Sequence, residues 1–155
     1  MKNKLIIIIL LSMIAVFNAS YLTIGAYELL EAKANSTSIV PFACDLNSTF
    51  SCSGVFTHTF SRPFWIPFSL IALFVYPMII LIAGLWLAWK IKNHFTILFY
   101  MWIGWFLFNS YFIVNEIIVN TYCVLCLMCT VIIVAIAILG KLGSIEMEKE
   151  KLNSL

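Results

Sequence analysis

Charged residues are scarce in this sequence: Asp, Glu, Lys and Arg together make up only 10% of its 155 residues. A soluble domain usually carries about 25%, so the composition excludes an ordinary soluble protein. The net charge of +2 gives no sign of nucleic-acid binding, and no nucleic-acid partner is expected. No internal repeat or low-complexity tract stands out, so a repeat architecture is not predicted.

The sequence instead contains long runs without a single charge. Hydrophobic residues make up 63% of the chain and form four blocks: Leu5–Tyr27, Phe64–Trp89, Phe95–Asn115 and Cys123–Gly140. Each block is close to or above the length of about 20 residues that crosses a bilayer of about 30 Å as a helix. We therefore predict an all-α membrane protein. It is a four-transmembrane-helix bundle that forms one domain over residues 1–155.

The first block has a second interpretation, a cleaved signal peptide. Lys2 and Lys4 precede it, and small residues occur at Ala15 and Ala19. Its apolar stretch continues through Ala26, however, and is therefore longer than a usual signal core. We therefore favour a retained membrane helix.

Basic residues predict the orientation of the bundle. Only Lys33 and Arg62 flank one side, where a long loop covers residues 28–63. Seven lysines flank the other side: Lys2, Lys4, Lys90, Lys92, Lys141, Lys149 and Lys151. Because basic residues favour the cytoplasmic side of a membrane, we predict a multi-pass protein of the cell membrane. Its tail at 141–155 would be cytoplasmic, and its long loop would be extracytoplasmic.

The outer loop carries the first of two cysteine pairs, Cys44 and Cys52, with seven residues between them. Long loops tend to be functional, and this one is rich in aromatic residues. We expect its second half to form a short helix that covers the bundle as a lid. The two cysteines can form a disulfide if their Cα atoms lie within about 4.4–6.8 Å. On its own this spacing fits a structural disulfide as well as a redox-active one.

The second pair, Cys123 and Cys126, begins the fourth apolar block. Two residues between the sulfurs let a helical turn bring them together, and a helix N-terminus stabilises a thiolate. This position gives the pair access to lipid-soluble electron carriers, while the loop pair has access to water-soluble proteins. The two pairs together suggest an electron relay on the outer side, where disulfides persist. Cys129 lies one turn deeper and is expected to be a buried, small apolar residue.

Two other interpretations of the four paired cysteines stay open. One is a membrane scaffold with two structural disulfides. The other is a zinc site with four thiolate ligands, but a gap of seven residues is unlike the short spacing of zinc sites. The outer location also disfavours zinc, and no metal is predicted.

Four polar residues stand in the outer half of the third block: Asn109, Ser110, Asn115 and Glu116. Polar groups are costly inside a membrane and often have a function. They would face the cysteine pair, face the carbonyl groups of a bound ligand, or bond to neighbouring helices. The sequence alone does not decide between these roles.

Three segments resemble a known family. Cys44-Asp-Leu-Asn-Ser-Thr-Phe-Ser-Cys52-Ser-Gly-Val-Phe56 resembles the loop motif of the vitamin K epoxide reductase (VKOR) family. Phe64-Trp-Ile-Pro67 resembles the Phe-Gly-Ile-Pro at the start of that family's second helix. Cys123-Val-Leu-Cys126 falls where the family keeps its active-site pair. The match covers almost the whole chain and resembles prokaryotic-type members without a fused thioredoxin domain, whereas DsbB-type oxidases carry the two cysteine pairs in the reverse order.

The resemblance implies a membrane thiol–disulfide oxidoreductase. Electrons would pass from a separate thioredoxin-fold (DsbA-like) protein through Cys44 and Cys52 to Cys123 and Cys126. They would continue to a quinone of the ubiquinone or menaquinone type, driving disulfide formation. Cys126 would react with the quinone, Cys123 would exchange with the loop pair, and Phe56 would help line the quinone pocket.

The sequence departs from the family pattern at three places. Trp65 replaces the glycine before Ile-Pro, and Ala72 replaces a glycine further along the second helix. Vertebrate members carry a tyrosine that hydrogen-bonds the naphthoquinone, whereas Cys129-Thr-Val131 stands here. Thr130 remains as a quinone hydrogen-bond donor. The missing phenol favours plain quinone reduction, with vitamin K quinone or epoxide reduction as the alternative.

Overall fold

The computed structural model describes residues 2–36, 42–89 and 94–153. In these ranges it has five α-helices: α1 (Lys2–Ala34), α2 (Cys52–Thr57), α3 (Phe68–Trp89), α4 (His94–Val119) and α5 (Val124–Asn153). Two 3-10 turns, Thr59–Ser61 and Pro63–Trp65, connect α2 to α3. α1, α3, α4 and α5 are long and apolar enough to cross a membrane. The predicted all-α bundle is confirmed, and the short helix expected in the outer loop is α2.

The first and last helices are longer than the apolar blocks that predicted them. α1 continues to Ala34, so the outer loop begins later than the predicted residue 28. α5 continues to Asn153, so the predicted tail at 141–155 is helical for most of its length. Glu and Lys are good helix formers. The Glu and Lys residues that follow each apolar block therefore end the apolar span but not the helix.

The second membrane helix begins at Phe68 rather than at the predicted residue 64. Proline disfavours helical backbone in the residue before it, and Pro67 directly precedes the first helical residue of α3. Trp65 has φ of +67°, outside the helical region. These two residues together delay the start of α3.

The helices enclose two apolar clusters, one in the body of the bundle and one under the lid. The lid is the part of the loop at residues 42–57, which ends with α2. α1 packs most extensively against α3 and also contacts α5, while α4 packs on α5. The body cluster buries small side chains on two helices, including Ala15 and Ala19 of α1 and Ala72 and Ala83 of α3. Small residues let helices approach closely in a membrane. Ala72, like the glycine of the family pattern, is small enough for such a close approach.

The lid cluster is built on the part of α1 that extends beyond the body of the bundle. Leu22 and Ala26 of α1 lie beneath Phe42 and Phe56 of the lid. The ring of Phe42 occupies the space that a Cβ atom on Gly25 would take. α1 thus forms the floor on which the lid rests.

At the opposite end of the bundle, an ion pair connects α1 to α5. The Lys4 ammonium donates to a carboxylate oxygen of Glu146, joining the start of α1 to the end of α5. The lid and all five cysteines lie toward the other end, where α1 and α4 end and α3 and α5 begin. Large apolar side chains on the outside, including Phe17, Phe74 and Ile118, are exposed as expected for a surface in contact with lipid.

Candidate active site

The loop pair is closed: Cys44 and Cys52 form a disulfide, with 5.8 Å between their Cα atoms. Cys52 begins α2 because Ser51 caps that helix. The Ser51 hydroxyl accepts a hydrogen bond of 2.9 Å from the backbone N–H of Gly54, which satisfies a helix-terminal donor. Cys44 is 8% exposed and Cys52 is fully buried, so Cys44 is the sulfur nearer the surface.

Asp45 holds the two ends of this loop together. Its carboxylate accepts hydrogen bonds from the backbone N–H groups of Phe42 (2.8 Å) and Ser53 (2.9 Å). It also accepts one of 3.0 Å from the Ser51 hydroxyl. Partial burial acts to raise the pKa of Asp45, but these hydrogen bonds outweigh it and hold the pKa below its ordinary value. Asp45 is therefore an ionised anchor beside both cysteines.

A short backbone pairing joins the lid to the segment before α5. The backbone N–H of Tyr122 donates to the Thr49 carbonyl (2.7 Å), and the N–H of Ser51 donates to the Tyr122 carbonyl (3.0 Å). Because Cys52 follows Ser51 and Cys123 follows Tyr122, the pairing sets these cysteines side by side. Their Sγ atoms lie 3.2 Å apart.

The turn between α4 and α5 gives the second pair its place. Asn120 has φ of +55°, a left-handed conformation that asparagine tolerates at the end of a helix. The backbone N–H of Thr121 donates to the Glu116 carbonyl (3.1 Å) and completes the end of α4. The chain then reaches Cys123, directly before α5 begins at Val124.

Cys123 occupies the N-terminal cap of α5. The backbone N–H of Cys126 donates to the Cys123 Sγ over 3.3 Å, and that of Leu127 donates to the Cys123 carbonyl over 3.0 Å. Backbone donors at a helix N-terminus stabilise a thiolate. Cys123 and Cys126 are both buried free thiols here. The predicted placement of the pair at a helix N-terminus is confirmed.

Glu116 is the polar residue of the third apolar block that faces the second pair. One of its carboxylate oxygens and the sulfurs of Cys123 and Cys126 all lie within 4.8 Å of one another. Glu116 is 1% exposed, and its Oε2 atom has no hydrogen-bond partner among the described residues. The sequence had left the role of this residue undecided.

The other three polar residues of that block bond elsewhere. The Asn109 amide donates to the Thr130 hydroxyl (2.7 Å). The Ser110 hydroxyl and the Asn115 amide donate to backbone carbonyls one turn earlier in α4. The hydroxyl of Thr130 in turn donates to the Cys126 carbonyl (3.1 Å). Its one proton is thus engaged in this arrangement, and its predicted role toward a quinone stays a prediction.

Cys129 is 5% exposed and accepts a hydrogen bond of 3.0 Å from the Asn18 amide. The same amide nitrogen lies 2.9 Å from the Leu125 carbonyl. Asn18 thereby ties α1 to the first turn of α5, and the sequence analysis missed it. The signal was available, because Asn18 interrupts the apolar block Leu5–Tyr27.

Aromatic side chains surround the cysteines and the space beside them. Phe56 is 3% exposed, stacks on Phe42 with 5.8 Å between ring centroids, and belongs to the same cluster as the four paired cysteines. Deeper in the bundle, the Tyr76 hydroxyl and the Trp105 indole N–H are buried without hydrogen bonds of good geometry. Trp105 also lines an apolar cavity of about 420 Å³ between α3 and α4. The sequence analysis did not identify these two donors.

The comparison with known families agrees with this geometry. The model of the vitamin K epoxide reductase family matches residues 6–140, which include both cysteine pairs and most of every membrane helix. The chain belongs to the vitamin K epoxide reductase family. No curated protein matches its sequence. The predicted family is confirmed, and VKOR membership makes this a multi-pass membrane protein with a redox and disulfide function.

One departure from the VKOR pattern has a visible structural consequence. Trp65 stands where the family carries glycine, and its φ of +67° lies in the left-handed region that favours glycine. The Trp65 side chain is 96% exposed. This chain therefore carries tryptophan in a backbone conformation that favours glycine, and the bulky side chain points away from the bundle.

Proposed function

We propose that this VKOR-family protein is a membrane thiol–disulfide oxidoreductase that takes electrons from a thioredoxin-fold partner and passes them to a quinone. The observation that carries the proposal is the 3.2 Å contact between the sulfurs of Cys52 and Cys123. It connects a loop disulfide to a pair of buried thiols. Thiol–disulfide exchange needs such a contact between a thiolate and a disulfide sulfur.

The first steps follow from the exposure of the loop cysteines. A thiolate of the partner attacks Cys44, which is nearer the surface than Cys52, and Cys52 leaves as a thiolate. The second partner thiolate then releases Cys44, so the partner departs with a disulfide and the loop keeps two thiols. Two electrons have entered the protein.

The next exchange moves these electrons to the membrane pair. In the oxidised Cys123–Cys126 state, the Cys52 thiolate attacks the neighbouring Cys123, and Cys126 leaves as a thiolate. Cys44 then attacks Cys52, which restores the loop disulfide and frees Cys123. This exchange would leave the loop pair joined and the membrane pair free, which is the combination present in the structure.

The surroundings of the membrane pair fit a quinone as the final acceptor. A quinone has a flat apolar ring and two carbonyl acceptors, and it supplies two-electron redox chemistry when bound. Phe56 offers an apolar face beside the cysteines, and the Tyr76 hydroxyl and Trp105 indole N–H are buried donors. Thr130 remains a further candidate for contact with the carbonyl groups. A buried donor that lacks a good partner gains free energy by bonding to a ligand carbonyl.

Purified protein in liposomes with a short-chain quinone and dithiothreitol tests the proposal. We expect Cys126→Ala to abolish quinone reduction, because Cys126 is the thiol that the proposal assigns to the quinone. Cys129→Ala is the matched control, since Cys129 lies on the same helix, is also buried and has no role in the relay. Near wild-type turnover by Cys126→Ala would disprove the assignment.

A redox titration separates this proposal from a scaffold with structural disulfides. Structural disulfides have reduction potentials below about −300 mV, whereas the pairs of a relay are more oxidising. We expect the Cys44–Cys52 disulfide to be reduced above that value.

A further inference from the structure

Glu116 has an unusual environment for a carboxyl group. It is 1% exposed and lies near the end of a membrane helix. Among the described residues it is the one buried acidic side chain. No Lys, Arg or His in the described parts of the chain forms an ion pair with it. Burying a charged carboxylate without an opposite charge costs roughly several kcal/mol, because the group loses its hydration. The backbone N–H of Cys123 interacts with this carboxylate, but its Oε2 atom has no hydrogen-bond partner among the described residues.

The neighbours of Glu116 supply a chemical reason. Its carboxylate oxygen lies within 4.8 Å of the sulfurs of Cys123 and Cys126. Thiols react as thiolates, and the oxidation of two thiols to a disulfide releases two protons. A buried dithiol therefore needs a proton acceptor close by, and Glu116 is at that place.

The two thiols differ in their need for this acceptor. The Cys123 sulfur accepts a hydrogen bond from the backbone N–H of Cys126 at the start of α5. The described hydrogen bonds give the Cys126 sulfur no such backbone donor. Cys126 is also the thiol that the proposed function assigns to the quinone. The dependence on Glu116 should therefore be greatest at Cys126.

We propose that Glu116 is the proton acceptor and donor of the Cys123/Cys126 pair, an inference that rests on the proposed function. Oxidation of the pair breaks two S–H bonds and forms the Cys123–Cys126 bond. The Cys126 proton passes to the Glu116 carboxylate. The quinone named in the proposed function takes up the two electrons and two protons and becomes a quinol; one proton comes from Cys126 through Glu116 and the other from Cys123. When Cys52 and Cys44 later reduce the disulfide, the protons of these two lid thiols pass to the membrane pair, and Glu116 takes up one of them and gives it to the departing Cys126.

Few other titratable groups face this site. α4 packs against α5, against α3 and against the turn Thr59–Ser61, which has no titratable side chain. α5 contributes Cys123 and Cys126, with Cys129 one turn deeper, and α3 contributes Tyr76 beside Cys129. Cys52 of the lid does not titrate while it is in a disulfide. A change in pH dependence after substitution of Glu116 would therefore report on the cysteine pair.

The test measures full-length protein in liposomes by two independent methods. Both use protein in which the Cys44–Cys52 disulfide is closed and the membrane pair is reduced. The first is single-turnover quinone reduction across pH. The second needs no quinone: it is the alkylation rate of Cys126, followed by peptide mass spectrometry. Glu116→Gln removes the proton acceptor at nearly constant volume, and Glu116→Asp keeps a carboxyl group. Asn115→Ala is the matched control, because the Asn115 amide bonds to its own helix.

We expect Glu116→Gln to slow the single turnover at neutral pH by about 10²-fold, the usual contribution of a proton-transfer group. The loss should shrink as pH rises. The Cys126 alkylation profile should move to lower pH, because Gln no longer places a negative charge beside the Cys126 thiolate. Glu116→Asp should recover part of both properties, and Asn115→Ala should match wild type.

Two results would overturn the inference. One is an unchanged alkylation profile in Glu116→Gln, whatever its turnover. The other is a loss in Glu116→Gln that is constant at all pH values and is shared by Glu116→Asp, because a purely structural role would give that pattern. If wild-type protein reduces no quinone, the proposed function fails instead, and the alkylation profiles still test Glu116 separately.

Discussion

Asp45 makes the stability of the lid around the loop disulfide depend on pH. Hydrogen bonds lower the pKa of Asp45 in the folded protein, so its contribution to lid stability is fully present above the unfolded pKa of about 3.9. That contribution is lost as the pH falls through the lower, folded value. We predict that the wild-type lid becomes sensitive to proteases only below about pH 4.

The substitution Asp45→Ala removes three hydrogen bonds to Phe42, Ser51 and Ser53. We expect it to destabilise the lid by about 1–2 kcal/mol at neutral pH and to abolish the acid-dependent step. Limited proteolysis across pH measures both effects. Ser48→Ala is the control, because Ser48 is an exposed residue of the same loop and is not part of the Asp45 hydrogen bonds. A lid that opens with the same pH profile in Asp45→Ala would refute this account.

At the scale of residues, the sequence predicted the cysteines better than their surroundings. Cys44, Cys52, Cys123 and Cys126 are recognisable because their spacing carries the chemistry. The roles of Glu116, Asn18 and Tyr76 are not, because a polar residue in an apolar helix acquires a role only through the neighbour that it faces. That neighbour depends on the rotation and position of the helix, which the weak amphipathic pattern of these helices does not reveal.

The close contact between α1 and the lid predicts an effect of one methyl group. A Cβ atom on Gly25 would overlap the Phe42 ring, which stacks on Phe56 above it. We expect Gly25→Ala to displace the lid and to cost about 1–3 kcal/mol, as overpacking does. Gly84→Ala is the matched control, because a Cβ atom there meets nothing within 4 Å. Hydrogen exchange in residues 42–57 measures the effect, and equal protection in the two variants would contradict it.

At the scale of elements, the sequence predicted how many helices cross the membrane but not where each helix ends. The apolar blocks identify the four spans because length and charge decide what a bilayer accepts. Helix ends follow other rules: α1 continues through Glu28 and Glu31, and α4 ends at the left-handed Asn120. The extra turns add one residue, Leu29, to the cluster under the lid, whereas Leu22 and Ala26 of that cluster lie within the predicted block.

The arrangement of the whole molecule predicts which side of the membrane carries the redox site. Lys4 pairs with Glu146 at one end of the bundle, and the lid with its disulfide occupies the other end. Because most lysines flank the first of these ends, we expect the lid to face outward. A membrane-impermeant thiol reagent, applied to reduced intact cells, should label Cys44 and Cys52. Labelling only after the membrane is opened would reverse the topology and make the partner cytoplasmic.

The sequence predicted an electron relay between two cysteine pairs, but not the contact between Cys52 and Cys123. The order of the motifs indicated two cysteine pairs on one side of the membrane, but not which sulfur meets which. The pairing of Thr49 and Ser51 with Tyr122 decides that point by setting Cys52 beside Cys123. Backbone pairing between a loop and a helix connection leaves little trace in residue type.

Trapping the exchange between the two pairs tests the central claim most directly. In the double variant Cys44→Ala with Cys126→Ala, Cys52 and Cys123 lose the partners that would resolve a bond between them. We predict that mild oxidation joins Cys52 to Cys123, as peptide mass spectrometry would detect, because their sulfurs already lie 3.2 Å apart. If the two thiols stay free, or if Cys123 pairs with Cys129 instead, electrons do not pass between the loop and the membrane pair by this route.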